Sequence, residues 1–266
     1  MAASLNDDFS SWNDPFSSKL IASLAPGAEA LAIVGSYANG GATSYSDLDI
    51  LRFVPDADLH DLPAYQLKMM DGRLLSLTQK SFNSALAELR DPRVYYKAFL
   101  PLTEFRTLHD PGKNLTQFRI SAASIGWEDL SADVDRYVNE QLCGLAEEAT
   151  KVLSGIEQNS PERIIYGTQL LTLELPKLIY LHHRQCLRSE SLYFIECQRL
   201  MGTVSAWSKH FRSTLSPVNG STAEKAGRAV LELYLQTIDH TGSEFDATQK
   251  EVIAWISEQI RTLNHV

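Results

Sequence analysis

Two aspartates one residue apart, Asp47 and Asp49, close a stretch of small residues that opens with Gly35-Ser36. The apolar run Leu31, Ala32, Ile33, Val34 leads straight into that stretch and reads as a strand. In an extended second strand alternate side chains share a face, so Asp47 and Asp49 project together while Leu48 and Ile50 point into the core. Two carboxylates that close repel each other unless a cation neutralises them, and a hard ion with oxygen ligands, Mg²⁺ above all, fits that demand. Gly35 permits a sharp turn off the first strand, and Ser36 with the following backbone N–H groups can meet phosphate oxygens. The pattern can therefore hold a nucleotide's phosphates and their metal together. Taken alone, Asp-x-Asp is more often a solvated strand end or turn than a metal site, and a lone glycine commonly the mark of a turn. The joint spacing, with apolar segments on both sides, is what points to chemistry.

Gly35-Ser36, about ten intervening residues and then Asp47-Leu48-Asp49 resemble the pattern of the nucleotidyltransferase superfamily in both residue type and spacing. That superfamily includes DNA polymerase beta, CCA-adding enzymes and the aminoglycoside and lincosamide nucleotidyltransferases. Ser46 and Gly40 look like its small-molecule branch, whereas Asn39 stands where a basic residue is frequent. The resemblance implies Mg²⁺-dependent transfer of a nucleoside monophosphate from a nucleoside triphosphate to a hydroxyl of a small acceptor. Asp47 and Asp49 would hold the metal, and Gly35 and Ser36 would orient the β and γ phosphates.

Such enzymes usually carry a third carboxylate on a neighbouring strand, to help the metal and deprotonate the attacking hydroxyl. The corresponding segment here is 73–79, reached from 65–70 through Asp71-Gly72, a two-residue hairpin signal. Leu75 and Leu77 fall on one face of it and Leu74, Ser76 and Thr78 on the other. It contains no acid, so Ser76 or Thr78 occupies the expected position, and Asp71 reads as a turn residue. Glu174, in the apolar helical stretch 170–176, is the candidate replacement base; its alternative is a solvated or paired surface glutamate. A catalytically weak nucleotide-binding regulator, or an antitoxin-like protein, would also keep the two aspartates and dispense with the third acid. A structural or interaction protein with an accidental carboxylate pair is the remaining class.

The organisation reads as two parts of an α+β protein: a nucleotidyltransferase-like mixed-sheet domain over 1–118, then a helical bundle over 119–266. Asp14-Pro15 starts a helix that Pro26-Gly27 breaks. Strands are expected near 30–35, 47–54, 65–70 and 73–79, a helix near 81–90, and further strands at Tyr95–Leu100 and Glu104–Leu108. Beyond Gly126 apolar residues recur at helical intervals over 131–155, 161–187, 190–214, 222–240 and 247–263. Ser160-Pro161 is a helix start, and Ser221-Thr222-Ala223-Glu224 and Asp246-Ala247-Thr248-Gln249 look like capping boxes. Short connections imply antiparallel packing.

At 266 residues with 44% apolar side chains, the chain can bury a normal core. The formal charge of −9 is spread out, with 10 Lys and Arg against 14 Asp and Glu up to Phe118 and 14 against 19 beyond. No basic cluster of the kind that tracks a nucleic-acid backbone is present, which favours a small acceptor, a cationic one included, over DNA or RNA. Nothing resembles a signal sequence or a membrane span, so a cytoplasmic location is expected. Cys143, Cys186 and Cys197 are too far apart in sequence for a short metal or redox motif and read as buried thiols. His182-His183 cannot share a helix face, which argues against a metal site there.

Overall fold

The computed structural model describes residues 15–215, 223–242 and 244–263. Two compact units divide the chain at Asp129 and Leu130. The first contains five strands, β1 (Ala30–Ile33), β2 (Leu48–Phe53), β3 (Tyr65–Met70), β4 (Arg73–Lys80) and β5 (Arg106–His109). Its helices are α1 (Pro15–Leu24), α2 (Gly35–Asn39), α3 (Phe82–Glu88), α4 (Tyr95–Thr103) and α5 (Asn114–Ala123). The strands form one mixed sheet in the order β3-β4-β2-β1-β5, in which only β2 and β4 run parallel.

Alternation explains how the sheet acquires two different faces. Ile33, Ile50 and Leu77 point to one side, where Leu20 and Leu24 of α1 cover them, all at most 4% exposed. On the other side Phe53 stacks on Phe82 of α3, with centroids 4.4 Å apart, and Phe118 of α5 completes an aromatic cluster. Arg52 ties α1 to the sheet by donating from Nε to the Leu24 carbonyl at 2.9 Å and from Nη2 to the Pro26 carbonyl at 2.7 Å. Asp71 and Gly72 both have positive φ, 49° and 78°, and form the expected hairpin turn, with Asp71 ion-paired to Lys19.

The strand expected at Tyr95–Leu100 is instead α4. The aromatic, β-favouring residues there bury Tyr95, Tyr96, Ala98 and Leu102, a helical spacing, and Tyr95 donates its hydroxyl to the Ile125 carbonyl at 2.8 Å. Asp91 initiates the turn: its Oδ1 accepts the Arg93 N–H at 2.9 Å and its carbonyl accepts the Tyr95 N–H at 3.0 Å. Packing overrode strand propensity.

Seven α-helices are described from Trp127 onward: α6 (Trp127–Gly144), α7 (Ala146–Glu157), α8 (Pro161–His182), α9 (Tyr193–Leu200), α10 (Ala206–Leu215), α11 (Ala223–Thr241) and α12 (Ala247–Leu263). The segments expected as single helices at 131–155 and 190–214 are each divided, the second at Gly202, whose φ of 83° ends the α9 turn. Pro161 opens α8. The capping box of α12 is reciprocal: the Gln249 N–H donates to Asp246 Oδ1 at 2.8 Å and the Asp246 N–H to Gln249 Oε1 at 3.1 Å. The other two expected start signals involve Asp14, Ser221 and Thr222, which lie outside the described residues.

α8 is the hub of this unit, packed by α7 and α11. Close approach there depends on absent side chains. A Cβ on Gly167 would lie 2.7 Å from Val152 Cγ2 and 3.0 Å from the Glu148 carbonyl oxygen. The Tyr234 hydroxyl donates to the Leu142 carbonyl at 2.6 Å and Trp207 Nε1 to Thr237 Oγ1 at 2.9 Å, which satisfies both polar tips within the apolar core. The three cysteines are free, Cys197 fully buried and the other two partly so. Among the described residues no helix is long and apolar enough to cross a membrane.

At one end of α8 the neighbouring histidines do meet, because His240 of α11 joins them. The three ring centroids are 5.1 to 5.4 Å apart and His183 Nε2 lies 2.9 Å from His240 Nε2, so one ring donates and the other accepts. Burial first, then the adjacent imidazoles, holds His182 and His183 below the ordinary histidine pKa; Arg184 lowers His182 further and Asp135 opposes this.

Two measurements test this packing. Gly167→Ala should lower unfolding stability by about 1 to 3 kcal/mol in urea denaturation, the usual cost of overpacking. The depressed histidines are neutral in the folded chain where the unfolded chain, with a pKa of about 6.5, already binds protons. Their contribution is therefore complete above about pH 6.5 and is lost as pH falls from there through the depressed folded values. His183→Gln should flatten the fall in urea midpoint over that range, and an unchanged slope would dissociate the cluster from stability.

Candidate active site

The site begins where β1 ends. Val34 continues the pairing by donating its N–H to the Asp49 carbonyl at 3.0 Å, and at Gly35 the chain turns with φ of 65° into α2. The sequence suggested a sharp turn into a loop of small residues here; residues 35–39 instead make a five-residue helix whose first N–H groups have no acceptor inside it. Its length is too short for apolar periodicity to reveal.

Two features favour glycine at position 35. Its φ is in the left-handed region, and a Cβ built on it would lie 2.2 Å from Asp49 Oδ2 and 3.1 Å from Asp49 Cγ. The Asp49 carboxylate thus rests directly on the Gly35 backbone, one residue from Ser36. Asp49 is the second residue of β2, between Leu48 and Ile50 at 1% exposure, and Asp47 immediately precedes that strand; both aspartates are partly buried.

The segment leading to Asp47 is braced. Gly40, with φ of 80°, caps α2, and the Gly41 N–H donates to both the Ser36 carbonyl and Asn39 Oδ1 at 2.9 Å. Asn39 therefore holds its own loop. Thr43 and Ser46 close a tight turn, the Thr43 N–H donating to Ser46 Oγ at 2.9 Å and the Ser46 N–H to the Thr43 carbonyl at 3.1 Å. Arg106 of β5 was not singled out from the sequence. Its Nε donates to the Ala38 carbonyl at 2.9 Å and so fixes the end of α2; only the pairing of β5 with β1, absent from any local pattern, brings it there.

The parallel register of β2 and β4 sets Asp49 opposite Ser76, which is 7% exposed. Ser76 thus takes the neighbouring-strand position, with Thr78 opposite Leu51. Among the described residues no group of three or more His, Cys, Asp or Glu side chains is placed to hold a metal. Gly35, Ser36, Asp47, Asp49 and Ser76 all belong to the first unit. Glu174 belongs to α8 in the second, where its carboxylate lies 4.0 Å from Lys177 Nζ.

The contact between Gly35 and Asp49 can be measured directly. Gly35→Ala should destabilise the protein by about 1 to 3 kcal/mol, combining left-handed strain with the clash. In an Asp49→Gly background the cost should shrink to the strain alone, a coupling of about 0.5 kcal/mol or more in a double-mutant cycle of urea stabilities. Strict additivity would contradict the close approach.

Residues 18–90 match the family model of the nucleotidyltransferase domain. No curated protein matches the sequence. The fold is similar to that of a nucleotidyltransferase-like protein from Exiguobacterium sibiricum, with a TM-score of 0.51 at 11% identity, over 85% of this chain and 76% of that one. The α+β architecture is common to both, and the family match spans the turn, both aspartates and Ser76, so residues 18–90 carry a nucleotidyltransferase domain.

Proposed function

We propose that this protein transfers a nucleoside monophosphate from a nucleoside triphosphate, ATP among the candidates, to a hydroxyl of a small acceptor, with release of pyrophosphate. The observation that carries this reading is the Asp49 carboxylate seated on Gly35, beside Ser36 and two residues from Asp47. All the side-chain donors there are hard oxygens, which suits Mg²⁺, and a two-carboxylate set suits an ion that takes its remaining ligands from phosphate and water. Bound Mg²⁺ would supply charge neutralisation on the triphosphate.

The residues have separable tasks. Asp47 and Asp49 would hold the metal, and Gly35, by having no side chain, leaves the carboxylate and the backbone of α2 close enough to act on one phosphate chain. Ser36 would orient the β and γ phosphates by hydrogen bonding. The acceptor oxygen then forms its bond to the α phosphorus as the bond to the β-phosphate oxygen breaks, in line, so that positioning and electrostatics supply most of the acceleration. The hydroxyl proton must leave. Glu174 is our candidate for its acceptor, because β4 offers Ser76 where an acid would serve.

That serine also favours a second reading, a nucleotide-binding regulator or antitoxin-like protein with little turnover. Such a protein would bind Mg²⁺ and nucleotide but release no pyrophosphate with any acceptor in a broad screen.

Asp47→Asn and Asp49→Asn should each reduce pyrophosphate release by at least about a hundredfold, as expected for lost charge stabilisation of several kcal/mol. Near-wild-type turnover in both variants, with folding verified by circular dichroism, would sink the site. Glu174→Gln should lower kcat by about a hundredfold and remove the basic-group limb of the pH profile while leaving nucleotide affinity unchanged. An unaltered pH profile would remove Glu174 from the reaction.

A further inference from the structure

The register that places Ser76 beside Asp49 continues one strand further. Ser76 is paired with Leu67 of β3, so Asp49, Ser76 and Leu67 stand in a row on one face of the sheet. At the usual spacing of about 4.8 Å between strands, the Leu67 position lies roughly 10 Å from that of Asp49. Met69, paired with Leu74, and Tyr65, paired with Thr78, share that face. Tyr65, Leu67, Met69 and Leu74 are 54%, 57%, 67% and 41% exposed.

The opposite face of the same hairpin shows that this is not simple edge fraying. Leu75 and Leu77 are at most 2% exposed, and Met70 packs against the cluster beneath α1. On the open face, the aromatic cluster of Phe53, Phe82 and Phe118 covers the sheet at the Phe53 end of β2. On that same face Leu67, Met69 and Leu74 lie toward the other end of the strands, Leu67 level with Asp49. Four apolar side chains on an edge hairpin are a liability unless something uses them. β3 and β4 also contain no Asp or Glu, so a cationic molecule would meet no counter-charge on them.

We propose that this face is the acceptor subsite, taking a molecule whose reactive hydroxyl is carried on an apolar body, alkyl or aryl, long enough to reach from Ser76 across Leu67 to Met69. The proposal rests on the nucleotidyl-transfer reading for the acceptor's role. Continuity selects the occupant: a group that attacks beside Asp49 passes over Ser76, a small side chain, and its remainder comes to lie on the apolar row. A second copy of the chain seated there would obstruct that approach. The acidic net charge admitted a cationic acceptor, but the one acid of this hairpin, Asp71, lies in the turn and is ion-paired to Lys19.

The methionines provide the readout. The chain has four, and Met69 and Met70 report opposite faces of β3. Full-length protein labelled with ¹³C at the methionine methyls is titrated with hexyl β-glucoside and, separately, methyl β-glucoside, which offer the same sugar hydroxyls. Hexyl glucoside should shift Met69 saturably and Met70 little, and methyl glucoside should move neither. Leu67→Asp and the milder Met69→Gln, read then through Tyr65 or calorimetry, should weaken hexyl glucoside binding by at least about tenfold, the effect of losing a few buried methylenes. Both should keep Mg²⁺·ATP affinity within about twofold.

Equal responses of Met69 and Met70, or equal effects of the two glucosides, would overturn the proposal. So would a Met69 shift that follows protein concentration together with a dimer mass by light scattering, which would assign the face to a second copy. Absence of Mg²⁺·ATP binding by the wild type would refute nucleotidyl transfer, and with it the acceptor role. The Met69 titration decides independently whether the face takes an apolar body.

Discussion

The geometry of the first unit depends on one close approach, that of the Asp49 carboxylate to the Gly35 backbone. A carboxylate oxygen occupies the place a Cβ would take. Everything nearby serves to keep two strands and a five-residue helix at that separation. The Val34 to Asp49 hydrogen bond fixes the strands, Arg106 pins the end of α2, and Asn39, Thr43 and Ser46 stiffen the return to Asp47. None of these contacts is large in energy. Together they remove the freedom that would let two neighbouring negative charges move apart, and that preorganisation is what a charge-stabilising site needs.

The parts legible in the sequence were those encoded locally. Gly35-Ser36, Asp47 and Asp49 could be read because residue type and spacing alone define them, and the hairpin at Asp71-Gly72 because both turn positions demand positive φ. The five strands, the last expected at Glu104–Leu108 and found at Arg106–His109, were legible in local apolar pattern and turn signals for the same reason. Hidden features were those decided by distant partners. Tyr95 becomes helical because its hydroxyl and ring are satisfied near Ile125, thirty positions on. Arg106 reaches α2 only through a strand pairing that no short motif announces. His182 and His183 cannot share a helix face, yet they sit where α8 ends, and His240 arrives from another helix to join both.

The two units solve the packing problem differently. In the sheet unit the apolar residues fall on alternate positions, and covering elements are chosen face by face, so one region can be left open beside the aspartates. In the helical unit α8 is covered on several sides, and space is limited enough that a methyl group on Gly167 would press on Val152 and the Glu148 carbonyl. The first arrangement leaves room for chemistry, and the second resists change.

The lone parallel pair in an otherwise antiparallel sheet has a consequence for how this protein can diversify. Because β2 and β4 run the same way, the chain must leave β2, travel to the sheet's edge as β3, and return through Asp71-Gly72 before Ser76 meets Asp49. The residue beside the aspartate and the residues flanking it outward therefore belong to a single contiguous hairpin, 65–80, that contributes neither aspartate. Replacement of that one segment, with the buried alternation of Leu75 and Leu77 preserved to hold register, changes the neighbourhood of Asp49 without altering β1, α2 or β2. Inheritance can treat the hairpin as an exchangeable cassette, while the carboxylate strand stays constant.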